Sequence, residues 1–591
     1  MKRSEADKKY MWNMKDIYES DALWEDDFLK AEELISKMPS YTDKMTESAE
    51  DLLALLDYDA MVSEKLEKIY VYANQKSHED MGEGLYQDMS GRAQNIMVKY
   101  QIQSAGVTPA IMAMGRDKID AFANTCEGLK LYKRYFKLIF RKEKHILDAD
   151  KEELLAGVNE LSETSSDIFA MFNNADIRFE DVADKDGQKK ELTHAKYMSY
   201  MQGKDRVLRE SAFKNLYKEY GKFRNTLAAT YAGNLKQHNF FAKTRKYDSG
   251  MHYSLSDAAI PVQVYDSLID AVHENIGLLQ RYIKIRKKTM NLSELHMYDL
   301  YAPMVDDVDM DISYEEAKEI VVRGLEPLGD DYIEMLKKGF NGGWIDVYEN
   351  EGKRSGAYSW GAYGIHPYVL LNHQNNLNSV FTLAHEMGHA LHSYYSDKNQ
   401  PYIYAGYKIF VAEVASTCNE ALLVNYLIEN SKSESEKKYL INYFLEQFRT
   451  TFFRQTMFAE FEKITHEKCA AGEILTADVL CKIYRDLNEF YFGEDAVVDD
   501  EIALEWARIP HFYRPFYVYQ YATGFAAAIA ISSAILDGDK EVLTGYRKFL
   551  RSGGSLDPID LLKLCDVDMC TEKPVNSAMK MFESLLDRFE E

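Results

Sequence analysis

Between residues 378 and 392 the chain reads Asn-Ser-Val-Phe-Thr-Leu-Ala-His-Glu-Met-Gly-His-Ala-Leu-His, which sets His385 and His389 four positions apart with Glu386 between them. Asn378 or Ser379 can cap a helix there, and the apolar spacing sustains one to about Tyr395. On that helix both imidazoles project from one face, one turn apart, a geometry that zinc accepts readily. Glu386 cannot share the direction of its neighbour His385. It is placed instead to reach a water on the metal and act as general base, the HExxH arrangement.

A tetrahedral catalytic zinc takes a third protein ligand and keeps its fourth position open. Glycine at 392 with histidine at 395 would supply that ligand from the same helix, but His392 and Tyr395 stand there. His392 lies two turns from His385 and suits support of the site better than ligation. Glu413, inside the run Ile-Phe-Val-Ala-Glu-Val-Ala, is the stronger candidate, because a carboxylate among apolar neighbours is unfavourable unless paired or metal-bound. The plainer alternative is an exposed glutamate on an amphipathic helix. Glu420, seven residues on, shares the face of Glu413 and could orient a histidine ligand by hydrogen bonding.

Two further blocks carry candidate groups. Residues 508–524 read Arg-Ile-Pro-His-Phe-Tyr-Arg-Pro-Phe-Tyr-Val-Tyr-Gln-Tyr-Ala-Thr-Gly. Pro515 suits the first turn of a helix, on which Tyr517 and Tyr521 would share a face while Tyr519 points away. Tyrosine hydroxyls can stabilise an oxyanion, yet in a chain with 42 tyrosines a tyrosine stripe is more simply packing. Residues 361–372, Gly-Ala-Tyr-Gly-Ile-His-Pro-Tyr-Val-Leu-Leu-Asn, read as an edge strand with which an extended peptide could pair, or as an ordinary sheet strand.

The HEMGHALH run, followed some two dozen residues later by Phe-Val-Ala-Glu413-Val-Ala-Ser-Thr and then by the 508–524 block, resembles the thimet-oligopeptidase-like metallopeptidases. Within them it is most similar to the oligoendopeptidase F branch. Met387 stands where that family often has an aromatic residue. The resemblance implies that His385, His389 and Glu413 hold one Zn2+ per chain, with Glu386 as base and His511, Tyr517 and Tyr521 as oxyanion donors. It further implies that Gly361, Tyr363, Gly364 and Tyr513 touch the substrate, a short unstructured peptide cut at an internal bond. The implied fold is a mainly α, two-lobed helical zincin enclosing a deep channel, with a small β-sheet beside the HExxH helix. Two rivals remain: a peptidyl-dipeptidase or carboxypeptidase with the same chemistry, and a non-catalytic peptide-binding protein. An intact Glu386 speaks against the second.

Helices must position these groups. Apolar residues recur every three or four places over 21–38, 49–75, 130–143 and 205–222, and only 11 prolines interrupt 591 residues. Strand-like stretches are few, at 177–182, 344–348 and 357–371, and Asp186-Gly187 reads as a hairpin turn. A helical lobe over 1–190 followed by a catalytic domain over 191–591 is the expected division. A net charge of −25 argues against nucleic acid. No N-terminal apolar segment reads as a secretory signal, and the longest apolar run, 524–536, falls short of a membrane span. Six scattered cysteines without a CxxC pair fit free thiols and a cytoplasmic protein.

Overall fold

Helices begin where the sequence offers caps. The Ser20 hydroxyl accepts from the Leu23 amide and opens Asp21–Thr42; Ser48 does the same for Asp51 and opens Ala49–Glu79. Along the first, Trp24, Phe28, Ala31, Ile35 and Met38 are buried, the 3–4 spacing of a single stripe. Each large side chain so buried contributes roughly 1.5–3 kcal/mol relative to exposure. Lys133–Arg141 and Arg206–Lys222 occupy the other two periodic stretches. The fold is mainly α-helical. The computed structural model describes residues 1–306 and 310–591.

Two compact units are assembled from alternating stretches of chain. One comprises Met1–Lys144, Met310–Leu423 and Ala534–Asp566, the other His145–Asp309, Val424–Ser533 and Val567–Glu591. A single cut at residue 190 is a different kind of division, since each unit takes chain from both sides of it. The first unit carries a three-stranded sheet in the order Ile345–Asp346, Tyr368–Leu370, Tyr358–Trp360, and two of these strands pack against the helix Leu377–Asn399. The second unit carries the hairpin Val182–Ala183 with Lys189–Lys190, closed at the expected turn by the Gly187 amide bonding to the Asp184 carbonyl. None of the six cysteines forms a disulfide.

Residues 361–372 differ from the expected edge strand. Gly364 has φ +81° and Pro367 follows, so the extended run folds into a hairpin. Tyr368–Leu370 becomes the fully buried central strand, while Gly361, Tyr363 and Gly364 lie in the connection, outside any strand. The Tyr363 hydroxyl donates to the Gln400 carbonyl.

The apolar run near 524 also proves longer than expected. Its helix, Tyr519–Leu536, has the length and composition of a membrane span, but 67% of it is buried within the protein, as in a core helix.

Candidate metal centre

The Asn376 side chain, not Asn378 or Ser379, caps the helix Leu377–Asn399 by accepting from the Ser379 amide. Glu413 and Glu420 stand on the helix Ile409–Glu429, reached through the short turn Tyr402–Ala405 after Pro401. The Asn419 side-chain amide donates to the Ala384 carbonyl at 3.0 Å, tying the two helices together next to the first histidine. At their crossing a Cβ on Gly388 would lie 2.6 Å from Ser416 Cα and 2.9 Å from the Ala415 carbonyl oxygen. The glycine inside HEMGH therefore permits a backbone approach that no other residue allows. Neither Gly388 nor Asn419 was singled out from sequence, because their roles exist only where the second helix lies across the first.

The three candidate ligand atoms form a nearly equilateral triangle. His385 Nε2 is 3.2 Å from His389 Nε2, and Glu413 Oε2 is 3.4 Å from the first and 3.3 Å from the second. Atoms bound to a tetrahedral zinc at about 2.0–2.1 Å stand roughly 3.3 Å apart. The residues present thus fit such an ion in donor chemistry and in spacing. Ser416 Oγ donates to Glu413 Oε2 at 3.0 Å and steadies the carboxylate. His385 Nδ1 donates to Glu420 Oε1 at 2.7 Å, which turns Nε2 toward the triangle.

Electrostatics follow from these contacts. Burial lowers the His385 pKa, but Glu413 and Glu420 outweigh it and raise the group to about 10. Burial pushes Glu413 up, and the two histidines pull it well below the ordinary carboxylate range. Glu386 is buried, and that burial raises its carboxyl above the usual value, against the opposing charges of His385 and His389. His392 stacks on the Tyr407 ring at 3.9 Å, and its Nδ1 has no hydrogen-bond partner among the described residues. Burial, with the charge of His389, pushes it down to about 3, a neutral packed imidazole.

In the second unit, His511, Tyr517 and Tyr521 come together, by a different route from the one expected. The helix starts at Tyr519 rather than near Pro515, and Phe516 before it adopts φ +56°. Glu462, fully buried, accepts the Phe516 amide hydrogen bond and holds this turn. The Tyr517 and Tyr521 rings meet edge-on at 5.6 Å, and the His511 ring lies 6.0 and 5.9 Å from them. The Tyr521 hydroxyl is 3.4 Å from His511 Nε2. Burial, with Arg514 and Arg454, lowers the His511 pKa. Tyr519 is buried against Tyr265, and Tyr513 stacks on Phe169 at 4.5 Å.

Comparison with known proteins decides the family. The description "Peptidase family M3" matches residues 199–581, and "Oligopeptidase F" matches residues 111–179. The chain belongs to peptidase family M3. It is 46% identical over 589 residues to Oligopeptidase PepF of Bacillus subtilis (strain 168), a match covering 100% of this chain and 88% of that protein. It is 39% identical to an oligoendopeptidase F homolog of Lactococcus lactis subsp. lactis (strain IL1403), over 100% of this chain and 98% of that one. The crystal structure of oligoendopeptidase-F from Enterococcus faecium superposes with a TM-score of 0.74 at 35% identity, covering 96% of this chain and 98% of that chain. As a member of family M3 the chain is a metallopeptidase. The M3 match spans the metal triangle, Glu386 and the His511 cluster alike.

Proposed function

We propose that this M3 metallopeptidase is a zinc-dependent oligoendopeptidase that hydrolyses internal bonds of short unstructured peptides. The observation that carries the reading is the triangle of His385, His389 and Glu413 with the buried Glu386 beside it. His385, His389 and Glu413 would hold one Zn2+ per chain, oriented by Glu420. When bound, the ion supplies Lewis-acid polarisation of a water and of the scissile carbonyl.

Glu386 takes a proton from the attacking water on its carboxylate and passes it to the leaving amine nitrogen. Tyr517, Tyr521 and His511 donate hydrogen bonds to the oxygen that gains charge as the carbonyl is attacked. The convergence of their side chains supports this role. Gly361, Tyr363, Gly364 and Tyr513 are retained as candidate peptide contacts, without the strand pairing first expected of residues 361–364. The division into an N-terminal region, 1–190, and a catalytic domain, 191–591, is kept as a functional one, supported by the two family matches on either side of it. Cysteines outside disulfides support a cytoplasmic location.

The test is cleavage of a mixed pool of short peptides, read by mass spectrometry, with wild type and Glu386→Gln at matched zinc content. Internal cleavage lost in the variant while zinc stays bound is the expected result. Zinc in both proteins with cleavage by neither overturns the reading in favour of an inert binding protein.

A further inference from the structure

The second unit contains a solvent-open cavity of about 600 Å³ lined by His511, Arg454, Arg508 and Glu446 among others. Its charge is unbalanced. The guanidinium groups of Arg454 and Arg508 both lean on the same oxygen, Glu505 Oε1, at 2.6 and 3.1 Å. The other Glu505 oxygen accepts from the Tyr484 hydroxyl. Glu446 offers these arginines nothing, because Arg286, Arg449 and Tyr282 already engage its carboxylate. Along the cavity wall, Arg454 and Arg508 therefore face one carboxylate, Glu446, which is engaged elsewhere, in a chain whose net charge is −25.

Among the described residues, Nε and Nη1 of Arg454 and Nη1 of Arg508 have no hydrogen-bonding protein partner. Arginine is always charged, and its planar fork matches a carboxylate. A second feature points to the same place. The helix Glu434–Gln447 passes into a π-helical stretch, Phe448–Phe453, before continuing as Arg454–Ala470, and Thr450 and Thr451 of that stretch line the cavity. π-Helical segments are rare and concentrate at functional sites.

We propose that this cavity is a carboxylate-recognition subsite for peptides, with Arg454 as its principal donor and Arg508 behind it. The inference rests on the peptidase reading, since His511, assigned above to the reaction, lines the same cavity. Two parts of a peptide offer the required chemistry: the C-terminal carboxylate and an Asp or Glu side chain. Either is gripped by paired, charge-assisted N–H···O bonds. Arg454 and Arg508 are thereby specificity-determining residues rather than groups that move protons.

The test is calorimetric binding to Glu386→Gln, loaded with zinc, of one peptide sequence in three forms: free acid, C-terminal amide, and amide with an internal Gln replaced by Glu. A preference for the free acid over the plain amide of about tenfold or more assigns the terminal carboxylate; the same preference for the Glu-containing amide assigns the side chain. The ratio should fall toward one when Arg454→Gln is added, and only partly with Arg454→Lys, which keeps charge but loses the fork. Equal binding of all three forms overturns the proposal, as does a ratio that survives Arg454→Gln. Should Arg454→Gln not fold, the three-peptide comparison in the Glu386→Gln frame and the Arg454→Lys ratio still decide. Because binding is read without turnover, carboxylate discrimination by a chain whose wild type cuts nothing would sink the peptidase reading and leave the subsite standing. Cleavage of the pool with no discrimination would do the reverse.

Discussion

Glu420 Oε1 accepts the Nδ1 proton of His385 at 2.7 Å, so the carboxylate of one helix orients an imidazole of the candidate metal triangle on another. When the imidazolium gives up one proton, the bond to Glu420 keeps the other on Nδ1 and leaves the lone pair of Nε2 for the triangle with His389 and Glu413. The carboxylate also makes the imidazole a more basic ligand.

Replacing Glu420 by alanine should therefore weaken zinc binding by roughly 10–100-fold while leaving the helix intact. Competition with a chromophoric chelator measures this. Unchanged affinity would show that packing alone orients His385.

Gly388→Ala puts a methyl group against the backbone of Ser416 and Ala415, atoms that cannot swing aside. The two ligand-bearing helices must part, and the overpacking should cost about 1–3 kcal/mol. A lowered melting temperature together with weaker zinc retention is expected. Because Glu413 lies one turn from the clash, a variant that lost stability but held zinc as tightly as wild type would contradict this account.

Tyr517→Phe and Tyr521→Phe each remove one hydroxyl from the His511 cluster without removing a ring. The group that serves as oxyanion donor should lose roughly 10²–10³-fold in kcat, with KM little changed. Steady-state kinetics on one cleavable peptide separates the two. If neither substitution lowers kcat, the cluster is packing, the plainer reading that the tyrosine-rich composition invites.

Glu462 offers a pH test. Burial raises its carboxyl to about 8, against the partial opposition of the Phe516 amide and Tyr265. An acid whose pKa is raised on folding holds its proton more tightly in the folded state than in the unfolded chain, where the value is about 4.3. Its contribution to stability is present in full below that unfolded value and is lost as pH rises through about 8. Denaturant titrations at pH 5 and pH 8.5 should show a decline that Glu462→Gln reduces by an amount on the order of a few kcal/mol. A pH dependence identical in the two proteins would refute it.

Much of the metal centre was legible because it is helical and local. Residues four apart on a helix share a face wherever that helix goes, so the pairing of His385 with His389 and the different direction of Glu386 follow from spacing alone. Glu413 and Glu420 were legible for a related reason, being a carboxylate misplaced among apolar residues and a second one seven positions on. The strand at 361–372 was misread because alternation does not reveal where Gly364 and Pro367 turn the chain back. The start of the Tyr519 helix was misread because Pro515 suits a first turn equally well whether or not Phe516 enters a left-handed conformation.

The amino-acid sequence by itself determined which residues could serve as metal donors and as the proposed base, and where the helical stripes lie, since these depend on residue type and on a period set by backbone geometry. Tertiary structure alone decided the approach at Gly388, the crossing bond from Asn419 to Ala384, the left-handed turn held by Glu462, and the two arginines that share Glu505. Each depends on how close two segments distant in sequence come to one another. That distance is set by packing of the whole unit and is not encoded in any local pattern.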